Sequence, residues 1–392
     1  MPCVQSDAFS LRTARCVLAC VVSAILLLGT LGPGAAESKR VLMLHSFGRD
    51  FKPWSEYARN IRAELEQQSL WPLEISDHST ASSGDEKSEA PLVEYLRALH
   101  AEYPPDVIVS LGAPAVAFVQ RYRQQLFPAT PMVFTAVEQR RVRYSDITAS
   151  DTVVAVAHSF REFFESILRV LPYTKTVAVV IGSSPNEKFW LGEIEREGRQ
   201  FAGRITFKWY NEFSFEDILK DAAALPPQSV IFWHLLNVDA AGVGHEGDKA
   251  LKALHVVANA PIFSVYDTSF GNGIVGGPMH SAVEGSRLTA SVVLRILGGE
   301  RAGDIKVLPT GFAAPKFDWR EMRRWGISEN GLMPGSEIYF REPTMLEQYR
   351  PQILMVCAVI LLQSALIGWL LYQRARRPSS KAPSNAAGQK VG

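Results

Sequence analysis

The chain has 392 residues, a formal net charge of +1, 47% apolar side chains and 21% charged ones. A charge so close to zero leaves no surplus of Lys and Arg to neutralise phosphates, which argues against nucleic acid and against a polyanionic substrate held by a bulk field. No internal repeat of 20–50 residues is present, and compositional bias is confined to the end of the chain.

Taken in order, residues 1–36 read as an export segment. Arg12 and Arg15 precede an apolar run over residues 16–31, and Gly34-Ala35-Ala36 offers small residues for cleavage. The segment is either a cleaved signal peptide or an N-terminal anchor. No Cys follows it closely, so a lipid attachment there is not expected.

The body then alternates apolar runs with amphipathic stretches. Residues 41–46 (VLMLHS), 73–78, 106–111 (DVIVSL) and 131–137 (PMVFTAV) predict strands, and residues 54–67, 90–101 and 113–124 predict the helices between them. Continuous apolar strands separated by helices predict a parallel sheet covered on both faces. Residues 152–157 (TVVAVA) predict a crossing to a second half, where the pattern restarts. Helices are expected at 159–170, 187–201, 215–224 and 249–258, and strands at 176–181 (TVAVVI), 205–210, 229–235 (SVIFWHL) and 261–266. An extended stretch at 274–279, a helix over 282–297 stopped by Gly298-Gly299, and an extended segment at 304–309 complete the pattern. The expectation is an α/β body of two lobes, two parallel sheets flanked by helices and hinged. One lobe takes residues 37–140 and 276–310, the other 141–275 and 311–349. Recrossings are expected at 138–151, 276–279 and 309–314.

Near the end, residues 353–372 carry no charge and are followed by Arg374, Arg376 and Arg377. Twenty residues at 1.5 Å rise span about 30 Å of hydrocarbon, so a transmembrane helix is expected at 352–372. The basic flank predicts a cytoplasmic tail over 373–392, Ser/Pro/Ala-rich and disordered. The thiols agree with an exported body: Cys3, Cys16, Cys20 and Cys357 all lie outside it, leaving no disulfide framework, Cys-ligated zinc or cysteine nucleophile. The expected location is the inner membrane, with most of the chain in the periplasm.

There is no nucleophile elbow, Walker A loop, H-E-x-x-H or strand-borne G-x-G-x-x-G. His245-Glu246-Gly247-Asp248 has no standard metal spacing and reads as a solvated loop, and Asp318 and Glu321 among Arg320, Arg323 and Arg324 read as a charged helix face. More informative are polar residues that end apolar strands, because ligands of open α/β sheets bind outside the carboxyl ends of the strands. Ser46, Ser110 and Glu138 mark the first half; Asn186, His234 and Asp267 mark the second. These six are the candidate ligand-binding residues. Each also has a plainer reading: Ser110 as a helix cap, His234 as a core histidine, Glu138 as a hinge partner of Arg140 or Arg141. Phe47, Phe51, Trp54, Phe189 and Trp190 stand near the same strand ends, as cleft rims or as core faces of their helices. No catalytic residue, metal or cofactor is expected.

Residues 295–307 (RILGGERAGDIKV) resemble a helix end, glycine stop and strand of the ABC-transporter substrate-binding-protein-like family of the type I periplasmic-binding fold. Residues 316–327 (KFDWREMRRWGI) and 332–336 (LMPGS) are similar to the tail of the extracytoplasmic sensor regions of bacterial membrane sensor histidine kinases. Residues 41–46, 132–138 and 184–190 (SPNEKFW) resemble the same group. The resemblance implies small-molecule sensing between two lobes. It departs after Arg377: residues 378–392 hold no helical pattern, so no kinase module is expected in this chain. The expected function is that of a membrane-tethered periplasmic solute-binding or sensor protein, with a separate histidine kinase or ABC permease as partner. The alternatives are the binding component of an ABC-type uptake system, an enzyme of unrecognised chemistry using His234 and Asp267, and an assembly protein.

Overall fold

The computed structural model describes residues 37–48, 51–80, 86–342 and 349–376; the export segment at 1–36 and most of the tail at 373–392 lie outside them. In chain order the elements are β1 (Lys39–His45), α1 (Trp54–Gln68), β2 (Leu73–Ser79), α2 (Glu86–Leu99), β3 (Val107–Leu111), α3 (Ala113–Leu126), β4 (Met132–Glu138) and β5 (Asp151–Val156). They continue with α4 (Phe160–Val170), β6 (Thr176–Ile181), α5 (Pro185–Gly198), β7 (Thr206–Trp209), α6 (Phe215–Ala223), β8 (Ser229–Leu235), α7 (Gly247–Val257) and β9 (Ile262–Ser264). The last are β10 (Gly276–Gly277), α8 (Ala282–Leu297), β11 (Lys316–Asp318), α9 (Trp319–Arg324), β12 (Glu337–Tyr339) and α10 (Arg350–Arg376).

Two parallel sheets organise residues up to Tyr339. The first has the order β2-β1-β3-β4-β5, the second β7-β6-β8-β9. Each strand feeds both faces of its sheet, as its period of two requires. Val41 and Met43 pack with Ile61 of α1 and Val293 of α8, whereas Leu42 and Leu44 pack with Val93 and Phe118 on the opposite face. In the second sheet Val177, Val179 and Ile181 share a face with Phe232 and pack against Phe163, while Ala178 and Val180 pack with Ile218 and Leu254 on the other face. This double burial is why the strands read as unbroken apolar runs.

Three differences from the expected layout follow from pairing. β5 lies beside β4 in the first sheet, so the chain leaves that lobe after Val156 and not at residue 141. An all-apolar strand reads the same whichever sheet receives it. Residues 304–309 form no strand; the Ile305 carbonyl instead accepts the Thr152 hydroxyl at 2.8 Å. The segment 316–339 contributes β11 and β12 to a small third sheet, β10-β11-β12. Gly276, at φ +121°, permits it: a Cβ there would lie 1.9 Å from the Lys316 carbonyl oxygen.

The hinge consists of three neighbouring segments. Ala157 donates to the Thr310 carbonyl at 2.8 Å, Thr310 to Ala155 at 3.0 Å, and Ala313 to Met279 at 2.9 Å. α10 belongs to a separate unit, Phe340–Gly392. Its 27 residues have a mean hydropathy of 2.4 over their most apolar window and no buried side chain, so it is long and apolar enough to cross a membrane.

Candidate functional site

The carboxyl ends of the two sheets meet around an interlobe space, and local backbone features shape its rim. At the β4–β5 register shift, Ala136 adopts φ +49°, a left-handed conformation costly for a residue with a Cβ. Its carbonyl accepts the Trp54 indole N–H at 3.3 Å. Gly112, at φ +85°, closes the same corner: a Cβ would lie 2.6 Å from both Ser46 Oγ and Trp54 Nε1. Trp54, carried by the first lobe, packs into the apolar cluster of Phe160 and Trp190 in the second.

Among the described residues three cavities open between the lobes: a polar one of about 550 Å³, lined by His45, Arg59, Arg62 and Asp77 from the first lobe and by Glu246 and Asp248 from the second, and two walled largely by rings. The larger of the ring-walled pair, about 310 Å³, is lined by Phe51 and Lys52 from the first lobe and by Trp233, His234, Asn237, Tyr266 and Thr268 from the second. The smaller, about 30 Å³, lies toward the hinge among Trp54, Tyr57, Glu138, His158, Trp190 and His280, with Tyr266 between the two. His158 and His280 sit on the hinge segments themselves, their rings 4.1 Å apart. His158 and His234 both flank Trp190, at 4.6 and 5.3 Å, and Tyr266, at 5.8 and 5.4 Å. The result is a box of aromatic and imidazole rings.

The three imidazoles are the least satisfied groups there. His158, His234 and His280 are 8%, 1% and 4% exposed, and no hydrogen-bond partner meets their ring nitrogens; the His280 ring lies near the Gly311 backbone. Burial pushes His234 down to about 3 and His280 to about 4, and burial with its two histidine neighbours holds His158 well below the usual range. All three are therefore neutral at pH 7, each able to donate one hydrogen bond and accept another. Buried unpaired polar atoms are costly unless something satisfies them. Asn237 Nδ2 in the larger ring-walled cavity and Asn186 Nδ2 share this state.

Ion pairs hold the lobes together around the space. Lys52 on the first lobe meets Asp248 on α7 at 2.7 Å. Arg140, after β4, bonds Glu138 at 2.9 Å, Glu197 of α5 at 2.9 Å and the His158 carbonyl at 3.2 Å, and also pairs with Glu193. Arg141 donates to Asn186 Oδ1 and lies 4.6 Å from the centre of the Phe189 ring.

The six residues singled out by strand position fall into two groups. His234 lines the larger ring-walled cavity and Glu138 the smaller, the latter already engaged by Arg140, with burial raising its carboxyl despite that partner. Asn186 sits on the opposite lobe as the partner of Arg141. The other three lie away from the cavities. Ser46 bonds the Leu111 carbonyl at 2.6 Å and the Ala115 N–H at 3.0 Å; Asp267 accepts from Ala282 N–H at 3.0 Å at the start of α8; Ser110 is buried within β3, its hydroxyl unpartnered. His158, His280, Tyr57, Tyr266 and Asn237 were not selected from the sequence. For His280 the signal was available, since it directly follows a recognised recrossing; for Tyr57 there was none, because it sits on the buried face of a helix.

The geometry gives no support to catalysis by His234 and Asp267, since the His234 nitrogens have no partner and Asp267 accepts the Ala282 N–H at the start of α8. Among the described residues no group of three His, Cys, Asp or Glu is arranged to hold a metal ion. His245 instead pairs with Asp239 at 2.9 Å.

Two parallel α/β lobes joined by three hinge segments around a central cleft define the type I periplasmic-binding fold, and solved structures agree. The chain is similar to a conserved domain protein from Vibrio cholerae O1 biovar eltor (TM-score 0.57, 17% identity, covering 77% of this chain and 100% of that one). It is also similar to an ABC domain from Streptococcus pneumoniae solved in complex with L-Trp (TM-score 0.55, 14% identity, 77% and 100% covered). A third is a ligand-free, open substrate-binding protein with adhesive properties from Clostridium difficile (TM-score 0.53, 12% identity, 78% and 100% covered). No family model and no curated protein matches the chain. At these identities the likeness concerns the fold alone.

Proposed function

We propose that this chain is a membrane-tethered receptor that closes its two lobes around a small molecule and passes that closure to a separate protein. The observation that carries the reading is the interlobe cavity of about 310 Å³ at the strand carboxyl ends, walled by rings and holding unsatisfied buried groups at His234 and Asn237. Its volume suits a small ligand, and its mix of apolar wall and few polar groups is the usual character of such sites. The three similar folds include one solved with a bound amino acid.

The body is exported, residues 1–36 direct it, and α10 crosses the inner membrane with its basic end in the cytoplasm. In sequence, α10 follows β12, the last strand of the body, which pairs with β11. That continuity favours a sensor whose partner is a histidine kinase over a binding component delivering solute to a permease.

The test is a thermal-shift screen of the full chain in detergent against amino acids, organic acids, sugars, purines and aromatic compounds. A ligand that binds only the folded state stabilises it by about 2.7 kcal/mol at a hundred times its Kd. A saturable rise in Tm that is lost in His234→Leu is the expected result. A folded chain that responds to nothing in the set and carries no co-purified ligand overturns the reading.

A further inference from the structure

The larger ring-walled cavity also restricts the chemistry of its occupant. Among the described residues, every ionic side chain on its wall already has a partner: Lys52 with Asp248 at 2.7 Å, Glu246 with Lys249 at 2.6 Å, and His245 with Asp239 at 2.9 Å. Among the described residues, the fully buried side-chain atoms on its wall that lack a partner are both nitrogens of His234 and Asn237 Nδ2, on side chains more than nine-tenths buried. An imidazole without a neighbouring carboxylate offers one donor and one acceptor, and a carboxamide N–H₂ offers donors. A carboxylate, phosphate or ammonium placed here would be desolvated with no free counter-ion, which is far costlier than burying a neutral group that is hydrogen-bonded. Phe51 and Tyr266 line it as ring surfaces that favour a flat π-face.

Resting on the receptor reading above, we propose that the buried end of the ligand is an uncharged planar ring with hydrogen-bonding edges, such as a carboxamide-bearing or lactam nitrogen heterocycle, read by His234 and Asn237. The ring accepts from Asn237 Nδ2 and meets one nitrogen of His234, so that two of the orphaned buried groups gain a partner in one pose. The ligand carries no charged group into the cavity.

Matched probes test this on the full chain in detergent by calorimetric titration: nicotinamide against nicotinate, uracil against orotate, indole against indole-3-acetate, and L-tryptophan as the zwitterion. The neutral member of at least one pair binds, and its charged counterpart binds roughly a hundredfold more weakly. His234→Leu and Asn237→Ser each weaken the neutral ring about tenfold or more. Two variants at separate strands, each checked for an intact melting transition, guard against a folding defect in one. Equal or tighter binding of the charged members, or of L-tryptophan, overturns the proposal. So does a sugar or an acyclic metabolite that binds while every ring fails, an outcome that leaves the receptor reading standing. If nothing binds at all, both readings fall.

Discussion

His158, His234 and His280 illustrate how position converts an ordinary side chain into a conditional one. Each stays neutral in the folded protein because burial disfavours the imidazolium, whereas in the unfolded chain a histidine takes up a proton near 6.5. Below that pH the unfolded state binds more protons, so the contribution of these residues to stability is full above about 6.5 and declines as the pH falls. Each histidine removes up to about 1.4 kcal/mol per pH unit in that range. Glu138, Glu187 and Asp267 are shifted upward by burial and act in the opposite direction, but only near and just above the carboxylate range. The melting temperature is therefore expected to drop between pH 7.5 and 5.5, and His234→Gln to flatten that slope. A Tm that is level across the interval contradicts neutral burial. A second residue-scale expectation concerns Gly276, where an added Cβ meets backbone and not a movable side chain. Gly276→Ala should cost about 2 kcal/mol or more in urea unfolding.

At the scale of elements, the start of α5 links local sequence to the cleft. Ser184 and Glu187 form a reciprocal capping box, and the buried Glu187 carboxylate also accepts the Asn237 N–H at 2.6 Å beyond the end of β8. One side chain thus fixes the helix start and the loop that presents Asn237 to the cavity. Glu187→Ala leaves the Ser184 and Asn237 amides without their acceptor and should cost about 2–4 kcal/mol, with Glu187→Gln retaining part of it; chemical denaturation of the two variants checks this. The apolar runs 41–46, 106–111, 176–181 and 229–235 announced their strands because burial on both faces demands continuous apolar sequence. The same property hid the allegiance of β5, which no residue marks as belonging to one sheet or the other.

For the whole molecule, the closure proposed above would depend on a few contacts between lobes. Lys52–Asp248 is partly exposed, so its worth is modest, in the range of about 0.2–1 kcal/mol. Asp248→Ala should shift the lobes toward an open arrangement and weaken ligand binding about twofold to fivefold, with a larger radius of gyration by small-angle scattering in the unliganded protein. An unchanged affinity would mean the pair follows closure and does not favour it. The membrane reading is equally open to test: a reporter active only in the cytoplasm, fused after residue 392, should be active, and one active only in the periplasm silent.

Periodicity and composition alone determined that the body alternates strands and helices, that its thiols lie outside it and that one long apolar helix follows, because these depend on which side chains avoid water. They also placed His234 at a strand end. Only the tertiary structure decided what each strand-end residue does. Ser46 and Asp267 are bound up in local hydrogen bonds, whereas His158 and His280, remote in sequence, stand 4.1 Å apart on two hinge segments. Whether a buried polar atom finds a partner depends on residues brought from another lobe, and no local pattern carries that information.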